Sequence, residues 1–326
     1  MPVKASRVDL FNQLSRCFEN YEADHPRCFP CLSECTDIIV ASDDSGGHQA
    51  ADFSAFSFLI FDWNASEKWS VLSSNVRERF LAHGNQEMGY KKLPNKNKNR
   101  ALGKQRALVP FLEAADCING MAITFLVSKR VGSVLEPGGV EYLQKIAPAL
   151  AGWKLGTIEK LYRVQTFLAF LLAGLCRPGQ RTYWLTDDDE IAANSKRVVA
   201  AAEMLRNFSR SHFARDILLG SVDTVNSVDA KIAGPTKDLA SIPDLIGGAL
   251  VEAWSASSKN GFSSNSTSKP VALSQAIPEK AKLIIKWFMQ DDKPLRRHVA
   301  TIDMSENDPT SLHFNWLKFA DAVPSV

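Results

Sequence analysis

The chain has 326 residues, 45% of them hydrophobic and 23% charged, which excludes a disordered or a fibrous protein. Its formal net charge is only +2. Because a dedicated nucleic-acid-binding domain is usually far more basic, any affinity for nucleic acid must come from a local patch of the surface.

The sequence predicts a cytoplasmic protein with no membrane partner. Its first residues lead into an amphipathic pattern and lack the apolar core of a secretion signal. The longest apolar run covers the ten residues 167–176, whereas a helix needs about 20 residues to cross a bilayer. In a chain of this length without a leader, the six cysteines are expected to be reduced thiols.

The first part of the chain predicts a helix followed by a β-hairpin. Residues 6–18 carry apolar side chains at helical spacing, and 22–35 is typical of a loop. Two β-rich apolar runs follow, at 37–41 and 53–63, and the Gly-containing turn between them favours an antiparallel hairpin. Further elements are expected over 74–83 (helix), 99–118 (helix) and 121–129 (strand).

The rest of the chain alternates between helices and strands, so the predicted fold class is α/β. The second half of a long helix over 153–176 is apolar on all sides, which indicates burial in the core. Small and polar residues indicate a flexible linker over 257–269, and a C-terminal α/β appendage is expected over 270–326. The remaining predicted elements are a strand over 182–186, a helix over 195–208, a strand over 216–221 and a helix over 238–255.

Acidic residues stand at three separated places where strands or helices could aim them at one point. Asp43 and Asp44 close one apolar run, Asp187 to Asp189 close another, and Asp244 interrupts an apolar helix. Converging carboxylates repel one another unless a cation neutralises them, and Mg²⁺ or Mn²⁺ is the cation that oxygen ligands favour. The pattern therefore predicts a two-metal site for phosphoryl transfer. The alternative is that the first two groups are an ordinary turn and an ordinary helix cap.

Four short motifs, in order, resemble those of a bacterial family of unknown function. The first motif, Asp43-Asp44-Ser45-Gly46, is similar to the Asp-Glu-Ser-Gly motif of that family, with Asp44 in place of Glu. Glu87 followed by Lys91 and Lys92 resembles its Glu-x-Lys element, in a loosened form. The other two motifs are Asp187–Glu190 at a strand end and Pro243–Gly248 in a helix.

The resemblance implies a ribonuclease H-like fold of the integrase-type superfamily. A mixed sheet that opens with an antiparallel hairpin would be flanked by helices in a domain over 1–256, with its core at about 36–256. It implies metal ligands at Asp43, at Asp187 or Asp188, and at Asp244. Glu87 would be a supplementary ligand or would orient water.

A basic run follows the Glu87 motif and is predicted to hold a phosphate backbone. Such contacts position a nucleic acid without reading its sequence. The alternative is a solvated loop and first helical turn. The residues predicted to bind substrate are Lys91, Lys92, Lys96, Lys98 and Arg100.

A cysteine cluster offers a second metal site that we do not favour. Cys28, Cys31 and Cys35 with His25 have the donor types of zinc. However, all of them would have to come from one tight loop, so cysteines packed beside the first strand are the preferred interpretation.

The sequence thus predicts a metal-dependent nuclease that hydrolyses the phosphodiester bonds of DNA or RNA. The alternative from another class is a catalytically inactive recognition subunit that keeps the fold and binds nucleic acid or protein, with 270–326 as the surface for a protein partner. A third hypothesis is a hydrolase of nucleotides or other small phosphates.

Overall fold

A computed structural model describes residues 7–47, 51–81, 88–94, 102–135, 137–213, 217–224, 233–258, 276–290, 292–305 and 312–317. Seven strands in these ranges form one mixed sheet in the order β5-β4-β1-β2-β3-β6-β7. The strands are β1 (Asp37–Ser45), β2 (Phe53–Asp62), β3 (Gly120–Ser128), β4 (Arg181–Thr186), β5 (Leu218–Thr224), β6 (Leu295–Met304) and β7 (Leu312–Trp316).

The first five strands have a ribonuclease H-like arrangement. β1, β2 and β3 form an antiparallel meander, and β4 then lies parallel to β1 on its other side. β5 lies parallel to β4. The predicted fold class, a ribonuclease H-like mixed sheet that opens with a hairpin, is confirmed.

The helices of the described ranges cover the two faces of the sheet, because alternate strand residues point to opposite faces. Ile39 and Ala41 belong to one apolar cluster with α2, α3, α7 and α8, whereas Ile38 and Val40 belong to the other with α1, α4, α5 and α6. The helices are α1 (Arg7–Asp24), α2 (Ala65–Phe80), α3 (Leu102–Ala115), α4 (Gly139–Ile146), α5 (Leu155–Leu175), α6 (Ser195–Phe213), α7 (Ala233–Ser258) and α8 (Glu279–Phe288). None of the helices within the described ranges could span a membrane.

The opening hairpin is longer than the sequence analysis predicted. The first strand was expected to end at residue 41, yet β1 continues to Ser45. Asp43 pairs with Ser57 and Asp44 with Phe56. The main-chain ladder with the apolar strand β2 outweighs the low β propensity of aspartate. Both carboxylates therefore sit inside a strand, on a fixed backbone.

The C-terminal part of the chain extends the same sheet. β6 lies parallel to β3, and β7 lies antiparallel to β6. Ile284 and Ile285 of α8 are fully buried in the cluster that also holds α3 and α7. Of the predicted linker 257–269, residues 257 and 258 end α7, and the remainder lies outside the described residues.

Candidate active site

A cavity of about 520 Å³ lies at the sheet edge where the parallel strands β1 and β4 end. Ser42 of β1 pairs with Thr186 of β4, so the residues that follow them emerge side by side. Helix α7, which packs against β1 and β2, provides another wall. The charged residues that line the cavity are Asp43, Asp44, Lys91, Lys92, Lys160, Asp187, Asp189, Asp244, Glu252 and Lys280.

The fold brings together the acidic residues that the sequence analysis singled out. Asp43 and Asp44 come from β1, Asp187 follows the last residue of β4, and Asp244 comes from α7. Of the triplet, Asp187 and Asp189 line the cavity, whereas Asp188 is not part of its lining. This placement favours Asp187 over Asp188 as a member of the site.

The surroundings of Asp43 oppose the ionised form of its carboxyl group. Burial, and then the neighbouring carboxylates with Asp244 foremost, raise the pKa of Asp43 well above its usual range. The hydroxyl of Ser45 donates to Asp43 Oδ2 at 3.4 Å, a long hydrogen bond that offsets little of this charge. The environment therefore disfavours the ionised form of Asp43 unless a cation is bound nearby.

Lys160 of α5 neutralises another part of the acidic set. Its Nζ lies 2.6 Å from Asp44 Oδ1 and 2.5 Å from Asp189 Oδ2. Burial alone would lower the pKa of Lys160, but the carboxylates of Asp44 and Asp189 outweigh it and raise that pKa. Burial raises the pKa of Asp44 to about 6 in spite of the lysine. The lysine is thus held in its charged form between two carboxylates.

A 3₁₀ turn, Tyr90–Lys92, connects Asp244 to the basic side of the cavity. The backbone N–H of Tyr90 donates to Asp244 Oδ2 at 2.7 Å, and the Tyr90 hydroxyl donates to Glu252 Oε2 at 2.6 Å. Burial and the Glu252 carboxylate raise the pKa of Tyr90, so the phenol stays a proton donor. The turn therefore orients Asp244 and presents Lys91 and Lys92 beside it.

Lys280 of α8 fixes this turn from the C-terminal part of the chain. Its Nζ donates to the carbonyl oxygens of Tyr90 at 3.1 Å and Leu93 at 3.3 Å. The same ammonium lies 4.1 Å from the centroid of the Tyr90 ring, a cation–π contact. Burial lowers the pKa of Lys280. Residues beyond the predicted linker thus form part of the cavity wall.

Two adjacent glycines allow α7 to approach the site closely. A Cβ atom on Gly248 would lie 2.4 Å from Cγ and Cδ1 of the Tyr90 ring. A Cβ atom on Gly247 would lie 2.8 Å from Ser57 Oγ of β2. These contacts explain why a helix interior tolerates the entropic cost of glycine at these positions.

We expect Gly248→Ala to destabilise the protein by roughly 1–3 kcal/mol, because the buried Tyr90 ring must move to admit the methyl group. Gly174→Ala is the matched control, since its added Cβ in α5 would meet no atom within 4 Å apart from the adjacent backbone of its own helix. That helix should gain roughly 0.5–1 kcal/mol. Urea unfolding of both variants measures the difference, and equal stabilities would contradict the close approach.

Four lining residues with polar side chains were not predicted from the sequence: Tyr90, Lys160, Glu252 and Lys280. Glu252 had a usable signal, because Asp244, Gly248 and Glu252 recur every four residues and so share one face of α7. Tyr90 lies between Glu87 and Lys91, and nothing in that motif indicates a role for it. For Lys160 and Lys280, nothing in the neighbouring sequence indicates what they contact.

Several predicted residues lie outside the described part of the chain. They are Glu87, Lys96, Lys98 and Arg100. Lys91 and Lys92 are exposed and line the cavity. The described part of the predicted basic run, Lys91 and Lys92, therefore borders the cavity.

The cysteine loop lies away from this cavity. Cys31 is exposed, with Sγ 3.1 Å from Ser33 Oγ, and Cys28 and Cys35 are half-buried. Burial raises the pKa of Cys35 to about 11, whereas the hydrogen bond from Ser33 lowers the pKa of Cys31. Within the ranges that the structure describes, no group of three or more His, Cys, Asp or Glu side chains, the cavity carboxylates included, is already arranged to hold a metal ion. Asp43, Asp187 and Asp244 would therefore have to turn their side chains toward an ion to bind it.

Comparison with known proteins adds no relative. No family model matches the chain, and a search of curated proteins found no match. The likeness to the Asp-Glu-Ser-Gly family therefore rests on the four motifs, and the ribonuclease H-like fold rests on the strand order.

Proposed function

We propose that the protein is a metal-dependent nuclease that hydrolyses phosphodiester bonds of DNA or RNA. The observation that carries the proposal is the convergence of Asp43, Asp187 and Asp244 on one cavity from β1, the end of β4 and α7. In a ribonuclease H-like fold these elements meet at the carboxyl edge of the parallel strands, where α/β sheets place their ligands.

The donor set is suited to Mg²⁺ or Mn²⁺. Asp43, Asp187 and Asp244 offer only oxygen atoms, which hard divalent cations prefer. The raised pKa of Asp43 reports an excess of negative charge that a cation would relieve. These three residues would hold the metal, and Glu87 remains a predicted supplementary ligand. When bound, the metal would activate water and stabilise the leaving oxygen.

The other lining residues would prepare the cavity for this chemistry. The Tyr90 N–H holds Asp244 by one oxygen and so fixes the orientation of the carboxylate. Lys91 and Lys92 offer exposed ammonium groups to the phosphates on one side of the cavity. Contacts of this kind supply affinity that depends on salt and is indifferent to base sequence.

The matched pair Asp187→Asn and Asp188→Asn tests the proposal. We expect Asp187→Asn to lower Mn²⁺-dependent cleavage of DNA or RNA by at least about tenfold, as changes at metal sites do. The neighbouring Asp188 should tolerate the same change within about twofold, because it does not line the cavity and substitutions away from such features are usually close to neutral. A panel of single- and double-stranded DNA and RNA with 5 mM Mn²⁺ gives the readout.

Two results would contradict the proposal. One is the absence of metal-dependent cleavage on every polymer in the panel, and the other is an equal loss in both variants. Turnover of nucleotides without polymer cleavage would instead indicate a hydrolase of small phosphates.

One observation favours a second candidate, the recognition subunit without activity. Lys160 already forms ion pairs with Asp44 and Asp189, so the charge of these two carboxylates is partly neutralised without any metal. Such a protein would bind nucleic acid through the side of the cavity at Lys91 and Lys92, or a protein partner through the C-terminal part of the chain. Calorimetry with Mn²⁺ separates the two candidates, because only the nuclease should show tight binding.

A further inference from the structure

Lys160 is held by carboxylates from two separate elements. Its Nζ lies within 2.6 Å of oxygens of Asp44 on β1 and Asp189 after β4, and 3.7 Å from Glu190 Oε1. Only 17% of the lysine side chain is exposed. The ammonium is therefore an internal cation of the cavity and not a surface charge that meets acids by chance.

The carboxylates around Lys160 are also fixed on their other sides. Asp189 Oδ1 accepts the N–H of Ile191 at 2.9 Å, and Glu190 Oε2 accepts the hydroxyl of Thr157 at 3.0 Å. Thr157 and Lys160 lie one helical turn apart on α5, so the same helix holds both acids. Both oxygens of Asp189 and both oxygens of Glu190 therefore face donors from the protein.

The cavity holds a second group of carboxylates. The ion pairs of Lys160 are with Asp44, Asp189 and Glu190. Asp43 of β1, Asp187 after β4 and Asp244 of α7 line the same cavity. The acidic set therefore consists of a part that is paired with Lys160 and a part whose three carboxylates come from other positions of the fold.

We propose that the Lys160 ammonium takes the place of one of the two divalent ions that the sequence predicts, so that the cavity binds a single ion on the side of Asp43, Asp187 and Asp244. The inference rests on the proposed function and adds the number of metal ions that each chain binds. Lys160 acts here as a positioning residue, because it acts through Asp44 and Asp189. The Lys160 ammonium is paired with the carboxylates of both Asp44 and Asp189, so this side of the cavity needs no metal for charge balance.

The test counts the ions that bind to the full chain. Equilibrium dialysis against Mn²⁺ with elemental analysis, together with calorimetry, should give one ion per wild-type chain. Lys160→Met keeps the length of the side chain and removes its charge, so Asp44 and Asp189 become available and two ions per chain are expected. Lys160→Arg keeps the cation and should return the count to one.

Each outcome decides the inference. Two ions in the wild type, or one ion in Lys160→Met, would overturn the role of Lys160. A wild-type chain that binds no Mn²⁺ would overturn the proposed function together with the inference. If Lys160→Met fails to fold, the number of ions bound by the wild type and by Lys160→Arg still tests the inference. Two ions per chain in either protein would overturn it.

Discussion

Asp43→Asn is expected to abolish the proposed nuclease activity while it makes the metal-free protein more stable. Loss of a partner outside the metal shell already costs 10–100-fold in metal affinity or activity, so loss of a central ligand should cost at least about 100-fold. Asn has nearly the shape of Asp, and the β1 ladder at this position is made by the main chain. The substitution therefore removes charge without removing structure.

The gain in stability follows from the raised pKa of Asp43. Between the ordinary carboxyl pKa and this raised value, the folded state binds more protons than the unfolded state. The free energy of unfolding of the metal-free wild type therefore falls as the pH rises through this window. Asp44, with its pKa raised to about 6, adds to the same trend between pH 4 and 6.

Asparagine does not titrate, so the difference in the free energy of unfolding between Asp43→Asn and the wild type should grow as the pH rises. Substitutions that relieve a strained functional site commonly add about 0.5–2 kcal/mol, which we expect at pH 7.5 and not at pH 4. Urea unfolding in EDTA at the two pH values measures it. Asp52→Asn, an exposed residue next to β2 in the same hairpin, is the control for both activity and stability. An Asp43→Asn protein that keeps its activity, or is less stable at pH 7.5, would contradict this role.

The parts of the site that could be predicted from sequence are those that local pattern determines. Asp43 and Asp187 follow apolar runs, and the ends of parallel strands in one sheet share an edge. Asp244 stands out because a carboxylate is rarely tolerated on an apolar helix face without a partner. The order of the strands was expected only through the resemblance, since periodicity does not say which strands pair.

The parts that could not be predicted are contacts between residues that are distant in the chain. Lys160 belongs to a helix whose neighbours Ile158, Leu161 and Tyr162 indicate only burial. Its partners on β1 and after β4 are brought to it by the packing of α5 on the sheet. Lys280 likewise meets the 3₁₀ turn Tyr90–Lys92 only because β6 pairs with β3 and brings α8 against α7. The sequence around either residue does not indicate a charge pair between positions that are far apart in the chain.

Asp238→Ala is expected to have the largest effect on stability outside the cavity. Arg77 of α2 donates to both carboxylate oxygens of Asp238 on α7, with Nε 2.5 Å from Oδ2. The side chains are 8% and 0% exposed. Removing one partner of a buried ion pair costs about 3–5 kcal/mol, because the other charge stays buried without its partner.

Such a loss is comparable with the whole stability of many domains, which is about 5–15 kcal/mol. A large fall in the midpoint of urea unfolding should therefore be seen for Asp238→Ala. The double variant Arg77→Met/Asp238→Leu should recover most of it, since an apolar pair of similar volume replaces a buried ion pair at little cost. If the double variant also cleaves as well as the wild type, the ion pair serves to hold α7, and with it Asp244, against the rest of the protein. A single-variant loss below about 1 kcal/mol would instead mean that α7 is anchored to the sheet by its apolar face alone.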